Sequence, residues 1–221
     1  MADSKCMTLG YWNIRGLGQS IRLMLKYTGT EFNNVQYDER NGGSWFDDKE
    51  KLGLDFPNLP YLIDGDVKIT QSFAILRYIG RKHNLSAKSE KEMAYLGMLE
   101  HVAMDFRNGF VMFVYNKKDF EEKRDGYVKT AKESVQRFSD YLGDKQWFNG
   151  SEMTYVDFFL YEILDHHRLF EKGFLDHVPN IQALMERFEA RPAIKAYMES
   201  DEFMKEPINA SFSGWPGGKH Q

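Results

Sequence analysis

Three places in the N-terminal third of the chain carry residue types that can do chemistry: a phenol at Tyr11, a proline-interrupted strand edge at Leu59-Pro60, and Gln71-Ser72 where a helix begins. Pro60 fixes its own φ, drives Leu59 into an extended conformation and lacks an amide donor. The segment before Tyr61-Leu62-Ile63 therefore reads as a sheet edge with unpaired backbone groups, where an extended, peptide-like ligand can pair by strand addition. Asp64-Gly65 sits between two short apolar runs and reads as a hairpin turn into Val67-Lys68-Ile69, so these strands are antiparallel. Phe73, Ile75, Leu76 and Ile79 then recur at helical spacing, which puts Ser72 at or beside an N-cap. Free amides at such a helix start suit an anion, and a carboxylate is the natural guest.

The elements that must position these groups follow from periodicity. Met7 to Tyr11 reads as a strand, Gln19 to Tyr27 as a helix stopped near Gly29, Phe32 to Tyr37 as a strand, and Trp45 to Lys51 as a short helix. With the hairpin and a helix from Phe73 to His83, the order β-α-β-α-β-β-α has the pattern of a thioredoxin-like domain. The turn after the first strand, where redox cysteines of such a domain would stand, reads Tyr11-Trp12-Asn13-Ile14-Arg15-Gly16-Leu17-Gly18 and holds no thiol. The single cysteine, Cys6, falls at the start of that strand, away from the helix start, so neither a disulfide framework nor disulfide exchange is expected. A sulfur must then come with the ligand. A phenol at Tyr11 can donate a hydrogen bond to a thiolate and favour the ionised form.

At 221 residues the chain has room for two domains, and its composition changes near residue 86. Residues 84 to 92 are polar and charged and read as a linker between a domain at 1–85 and an all-helical domain at 92–221. Helical patterns run about Glu92 to Tyr115, Phe120 to Leu142, Tyr155 to Phe170, Asn180 to Ala190 and Pro192 to Glu199. Thr154 and Asp157, flanked by Met153 and Phe158, form a capping-box and staple pattern of structural use. The tail after Pro207 is irregular, with Phe212 and Trp215 placed to pack back on the body.

A net charge of −4 carries no footprint for nucleic acid. The most apolar run, Phe110 to Tyr115, is too short to span a bilayer, and the start lacks a signal-peptide core. A cytoplasmic protein with neither nucleic-acid nor membrane partners is expected. His166-His167 are adjacent on a helix, diverge, and have no third ligand spaced to join them, so no metal is expected.

The set Gly10-Tyr11-Trp12, Ile14-Arg15-Gly16-Leu17, Trp45, Lys49, Asn58-Leu59-Pro60 and Gln71-Ser72 resembles the mu class of glutathione S-transferases, and the likeness runs from about Leu9 to Trp215. The stretch Leu52 to Pro60 is specific to that class. The resemblance implies the cytosolic glutathione S-transferase architecture, an α/β thioredoxin-like N-terminal domain plus an all-α C-terminal helical domain. It also implies conjugation of the glutathione thiolate to hydrophobic electrophiles in detoxification, with glutathione as co-substrate and no other cofactor. A glutathione-dependent isomerase and a non-catalytic carrier of hydrophobic ligands are the alternatives.

By position, Tyr11 looks like the thiolate-stabilising tyrosine. Trp12, Leu17, Trp45, Lys49, Asn58, Leu59, Gln71 and Ser72 look like glutathione contacts, Pro60 is expected to be cis, and Asp105 looks like an acid reaching the γ-glutamyl ammonium across a dimer interface. Ile14, Leu17, Met104, Arg107, Asn108, Val111 and Tyr115 match the electrophile pocket. Phe56, Arg77 and Arg81 match the interface of a homodimer. The sequence also departs from the class. The interval from Tyr37 to Trp45 is short, similar to flatworm members, and Gly42, Gly43 and Ser44 stand where some members carry an arginine, with Arg40 the nearest substitute. Near Asn209 the tail lacks a phenylalanine that often lines the pocket, which leaves the second substrate undefined.

Overall fold

The computed structural model describes residues 6–38, 40 and 44–217. Its first half runs β1 (Met7–Trp12), α1 (Gly18–Tyr27), β2 (Phe32–Tyr37), α2 (Trp45–Asp48), β3 (Tyr61–Asp64), β4 (Val67–Thr70) and α3 (Ser72–Lys82). The second half is helical: α4 (Glu90–Tyr115), a 3₁₀ turn at Lys117–Asp119, α5 (Phe120–Leu142), α6 (Tyr155–Phe170), α7 (Pro179–Glu189) and α8 (Pro192–Glu199). The sheet order is β2-β1-β3-β4, with β1 parallel to β2 and antiparallel to β3, and β3 antiparallel to β4. The parallel pair needs a crossover, which α1 supplies.

The sheet has two differently dressed faces because its strands alternate. Leu9 and Leu62 face α1 and α3 and join a core that runs on through the helical half as far as Tyr197. Tyr37 and Tyr61 join a smaller cluster with Tyr11, Trp45, Leu54 and Leu59. Both halves thus share one continuous apolar core. Its centre is α6, buried on nearly every side and correspondingly apolar around most of its circumference.

Local details refine the sequence expectations. α4 begins at Glu90 rather than Glu92, because Ser89 is its N-cap: the Glu92 amide donates to Ser89 Oγ at 3.2 Å and the Ser89 amide donates to the Glu92 carboxylate at 3.1 Å. The hairpin loop is Gly65-Asp66, one residue later than expected, with Asp64 paired to Val67 and Gly65 at φ +63°, a left-handed angle that glycine accepts freely. Leu85, in the polar connector, is buried, and its carbonyl accepts from the Tyr155 amide at 2.9 Å. The Thr154 box forms as read: its amide donates to Asp157 at 2.7 Å, the Phe148 amide donates to the other carboxylate oxygen at 3.1 Å, and Met153 and Phe158 are buried on either side.

One polar network crosses between the halves. Arg15, in the β1–α1 turn and only 2% exposed, donates from Nε and Nη2 to the two oxygens of Glu162 at 2.8 Å each and from Nη2 to Asp165 at 2.6 Å. Arg168 in turn donates to Asp165 and Glu189, at 2.6 and 2.7 Å. His166 Nε2 lies 2.7 Å from Glu162, and since a carboxylate only accepts, that nitrogen carries the proton. His167 donates from Nδ1 to the Ile163 carbonyl and accepts at Nε2 from the Tyr127 hydroxyl, both at 2.6 Å. Burial works against the Glu162 carboxylate, but the charges and hydrogen bonds of Arg15 and His166 outweigh it and hold its pKa at about 2, below the usual 4.5.

Two stability predictions follow from these contacts. Thr154→Ala should cost about 1 kcal/mol, read as a lower urea midpoint with unchanged slope; an unchanged midpoint would show that the cap contributes nothing. Glu162→Gln should cost about 2 kcal/mol at neutral pH, because it takes one of two buried carboxylates from Arg15 and leaves Asp165 as the remaining counter-charge. The folded pKa of Glu162 lies below the unfolded one, so its contribution is whole above pH 4.5 and is lost as the pH falls towards about 2. The gap in Tm between wild type and Glu162→Gln should therefore narrow through that window, and a gap independent of pH would contradict the assignment.

Candidate active site

Tyr11 stands at the end of β1, and the β1–α1 turn closes around its ring. A Cβ on Gly16 would come within 2.6 Å of the Tyr11 hydroxyl oxygen, and one on Gly18 within 2.6 Å of its Cδ1, so only glycine lets the backbone approach this closely. Gly16 also holds φ +41°. The Leu17 amide donates to the Tyr11 hydroxyl oxygen at 3.0 Å. That oxygen accepts from the turn, which leaves its own proton to be donated elsewhere. The turn is fixed from two further directions: the Arg15 side chain is tied to α6, and the Arg15 and Gly16 amides donate to the carbonyls of Pro207 and Ile208 in the tail, at 2.8 and 3.1 Å.

The other residues expected to grip a ligand fall around the same end of the sheet. Trp12 is half-buried, with its carbonyl accepting from Arg22 at 3.4 Å. Trp45 is buried, stacked on Tyr61 with ring centroids 6.2 Å apart and edge-on to Tyr37 at 5.5 Å. Lys49 lies over the Phe46 ring at 5.8 Å. Leu59-Pro60 is cis, and Asn58 Oδ1 accepts from the Leu59 amide at 2.8 Å, so a ligand that uses this amide has to turn the Asn58 side chain aside. Ser72 is the first residue of α3 and is buried; the N-cap itself is Gln71, exposed and held at φ 72°, ψ 117°. A residue with a Cβ in that sparsely populated region costs about 1–3 kcal/mol, a strain that clusters at ligand sites.

Across the turn stands one face of α4. Arg107 is half-buried, and that crowding pushes its pKa below the usual value; the phenols of Tyr11 and Tyr115 lie close enough to oppose the shift. Its side chain donates to Asn108 Oδ1 at 3.3 Å. Met104, Val111 and Tyr115 recur on the same face at helical spacing, and Ile14 and Leu17 lie on the Tyr11 side. Tyr115 accepts the Ala210 amide at 2.9 Å. The two phenols therefore lie near one cation, with the apolar residues of the α4 face and the β1–α1 turn on either side.

Other expected residues lie elsewhere. Asp105 is exposed on a different face of α4 and lines a cleft of about 450 Å³ against α5, together with Val102, Phe106, Gly109, Tyr127 and Phe138. Phe56 is 79% exposed on its loop, whose carbonyl at that residue accepts from Thr70 at 3.0 Å. Arg77 is engaged within the chain, donating to both oxygens of Glu100, to which the Tyr155 hydroxyl also donates. Arg81 is exposed one turn further on. Arg40 pairs with Asp38 at 2.8 Å, and Gly42 and Gly43 lie outside the described residues. Trp215 packs back as expected, with its ring 5.1 Å from Phe170, whereas Phe212 stays exposed against Tyr115. Sequence reasoning assigns Arg15 no role; its charge in an otherwise uncharged, glycine-rich turn is the signal that singles it out.

Comparison with known proteins identifies the family. A family model described as the glutathione S-transferase N-terminal domain matches residues 7–81, and one for the C-terminal domain matches residues 104–201. The chain is 47% identical to glutathione S-transferase Mu 2 of Rattus norvegicus, over 95% of this chain and 98% of that one. It is 44% identical to glutathione S-transferase Mu 3 of Homo sapiens, over 97% of each. Among solved structures, the glutathione S-transferase Blo t 8 superposes with a TM-score of 0.87 at 33% identity, over 95% of this chain and 99% of that one. The chain belongs to the mu class of the glutathione S-transferase family.

Proposed function

We propose that this protein is a glutathione transferase in which Tyr11 holds the thiolate of bound glutathione and presents it to an electrophile on the α4 face. The observation that carries this reading is the hydrogen-bonding state of Tyr11. Its oxygen accepts from the Leu17 amide, its ring is only 4% exposed, and its proton is left to donate to a thiolate. Trp12, Leu17, Trp45, Lys49, Asn58, Leu59, Gln71 and Ser72 grip the tripeptide. The strained Gln71 and the α3 helix start take the γ-glutamyl end, in keeping with anion binding at helix N-termini. Ile14, Leu17, Met104, Arg107, Asn108, Val111 and Tyr115 surround the electrophile. The protein acts through thiolate stabilisation and proximity, with no covalent enzyme intermediate.

The reading includes a cytoplasmic homodimer built from an N-terminal domain at 1–85 and a helical domain at 92–221. No helix of the described residues is long and apolar enough to cross a membrane. Phe56 is a large exposed ring on a short loop, and the cleft between α4 and α5 has the apolar lining and size to receive it from a second copy. Asp105 on the rim of that cleft then faces the neighbour's γ-glutamyl ammonium, with Arg77 and Arg81 at the same interface.

Tyr11→Phe should lower kcat for glutathione conjugation to an aryl halide at least about tenfold while leaving the KM for glutathione within about twofold. Unchanged kcat would remove Tyr11 from the chemistry. Phe56→Ser should weaken the dimer by about 2 kcal/mol or more in sedimentation equilibrium. A wild-type monomer, or a variant that dimerises as tightly as wild type, would contradict the docking of Phe56.

A further inference from the structure

Among the described residues, the tail after α8 has neither helix nor strand, yet it is tightly held. The carbonyls of Pro207 and Ile208 accept from the β1–α1 turn, and the amides of Ile208 and Asn209 donate to the Pro216 carbonyl at 2.8 and 3.0 Å. The Gly214 amide donates to the Val114 carbonyl at 2.6 Å, and the Ala210 amide donates to the Tyr115 hydroxyl at 2.9 Å. Ile208 and Ala210 are buried, and Trp215 stacks edge-on against Phe110 and Phe170. The segment is therefore anchored without the help of Phe212, which remains 60% exposed. Its ring contact among the described residues is with Tyr115, with centroids 5.7 Å apart and planes at 72°.

An exposed phenylalanine on a mobile loop would need no explanation. Phe212 differs in being fixed, by hydrogen bonds on both sides of it, at the outer end of the line that runs from Tyr11 past Arg107 to Tyr115. Aromatic rings prefer edge-to-face or offset contacts, and Tyr115 and Phe212 already form one edge-to-face pair. The exposed ring of Phe212, held against Tyr115, thus adds a fixed aromatic surface at the Tyr115 end of that line, and aromatic side chains are a usual lining of ligand pockets.

We propose that Phe212 determines specificity for the second substrate: with Tyr115 it forms the outer wall of the electrophile pocket and favours electrophiles that present an aromatic ring. The role rests on the glutathione-conjugation reading. Phe212 takes no part in thiolate formation, so its contribution lies in holding the aromatic substrate, not in the bond-forming step.

The test compares Phe212→Ala and Phe212→Leu with wild type on two electrophiles, an activated aryl halide and a small aliphatic enal, with glutathione varied separately. Both variants should raise the KM for the aryl halide about fivefold, the scale of one aromatic contact. The kcat, the KM for glutathione and the KM for the enal should stay within about twofold. The leucine variant keeps apolar bulk, so equal losses in both variants assign the effect to the ring. Equal changes for the two electrophiles, or no change for either, would overturn the proposal; so would a rise in the KM for glutathione matching that for the aryl halide, which would make Phe212 a tail anchor. Wild type that conjugates neither electrophile would instead remove the transferase reading, and this proposal with it.

Discussion

The buried ion pair between Arg15 and Glu162 is the constraint on which the rest of the site depends. It joins a turn of the sheet half to a helix of the other half across 147 positions of sequence. Whether such a pair adds net stability is a close balance between desolvation and attraction, but removing Arg15 leaves the buried Glu162 carboxylate without its guanidinium. The guanidinium is planar and engages the carboxylate with two parallel bonds, so the pair sets direction as well as distance. The turn that carries Arg15 also carries the Leu17 amide and the two glycines packed on Tyr11. Fixing Arg15 therefore fixes the phenol.

The proposed site draws on both halves, and the shared core is what holds them together. The sheet supplies the phenol, the cis-proline edge and the α3 helix start. The helical half supplies Arg107, Tyr115 and a tail that returns to bond with the same turn. With α6 buried between them, neither half can shift without opening a large apolar surface. Holding a thiolate against a hydrogen-bond donor needs this precision, because a donor helps only when it points at the atom that carries the charge. A free thiol ionises near pH 8.5, so a shift of about two pH units corresponds to about 2.7 kcal/mol favouring the thiolate.

Much of this was legible because the relevant signals are local. Strand alternation placed β1, β2 and the hairpin, and helical spacing placed α1, α3 and the helical half with errors of a residue or two at the ends. The capping pattern at Thr154 was read, whereas the same chemistry at Ser89 and Glu92 was hidden in a charged stretch that looked like linker. The partners of Arg15 lie far away in sequence, and nothing local names Glu162 and Asp165 over any other acids. Phe212 was visible as an aromatic in an irregular tail, but only the fold shows that Trp215 packs inward while Phe212 stays outside. The strain at Gln71 has no sequence signature, since it arises where the end of β4 must turn directly into α3.

The central claim is that the Tyr11 hydroxyl lowers the pKa of the bound thiol. It is tested most directly by titrating the thiolate absorbance of glutathione bound to wild type and to Tyr11→Phe. The account predicts ionisation about two pH units below that of free glutathione in the wild-type complex, with most of that shift lost in the variant. Titration of the wild-type complex at the value of the free thiol, or an equal shift in both proteins, would contradict it.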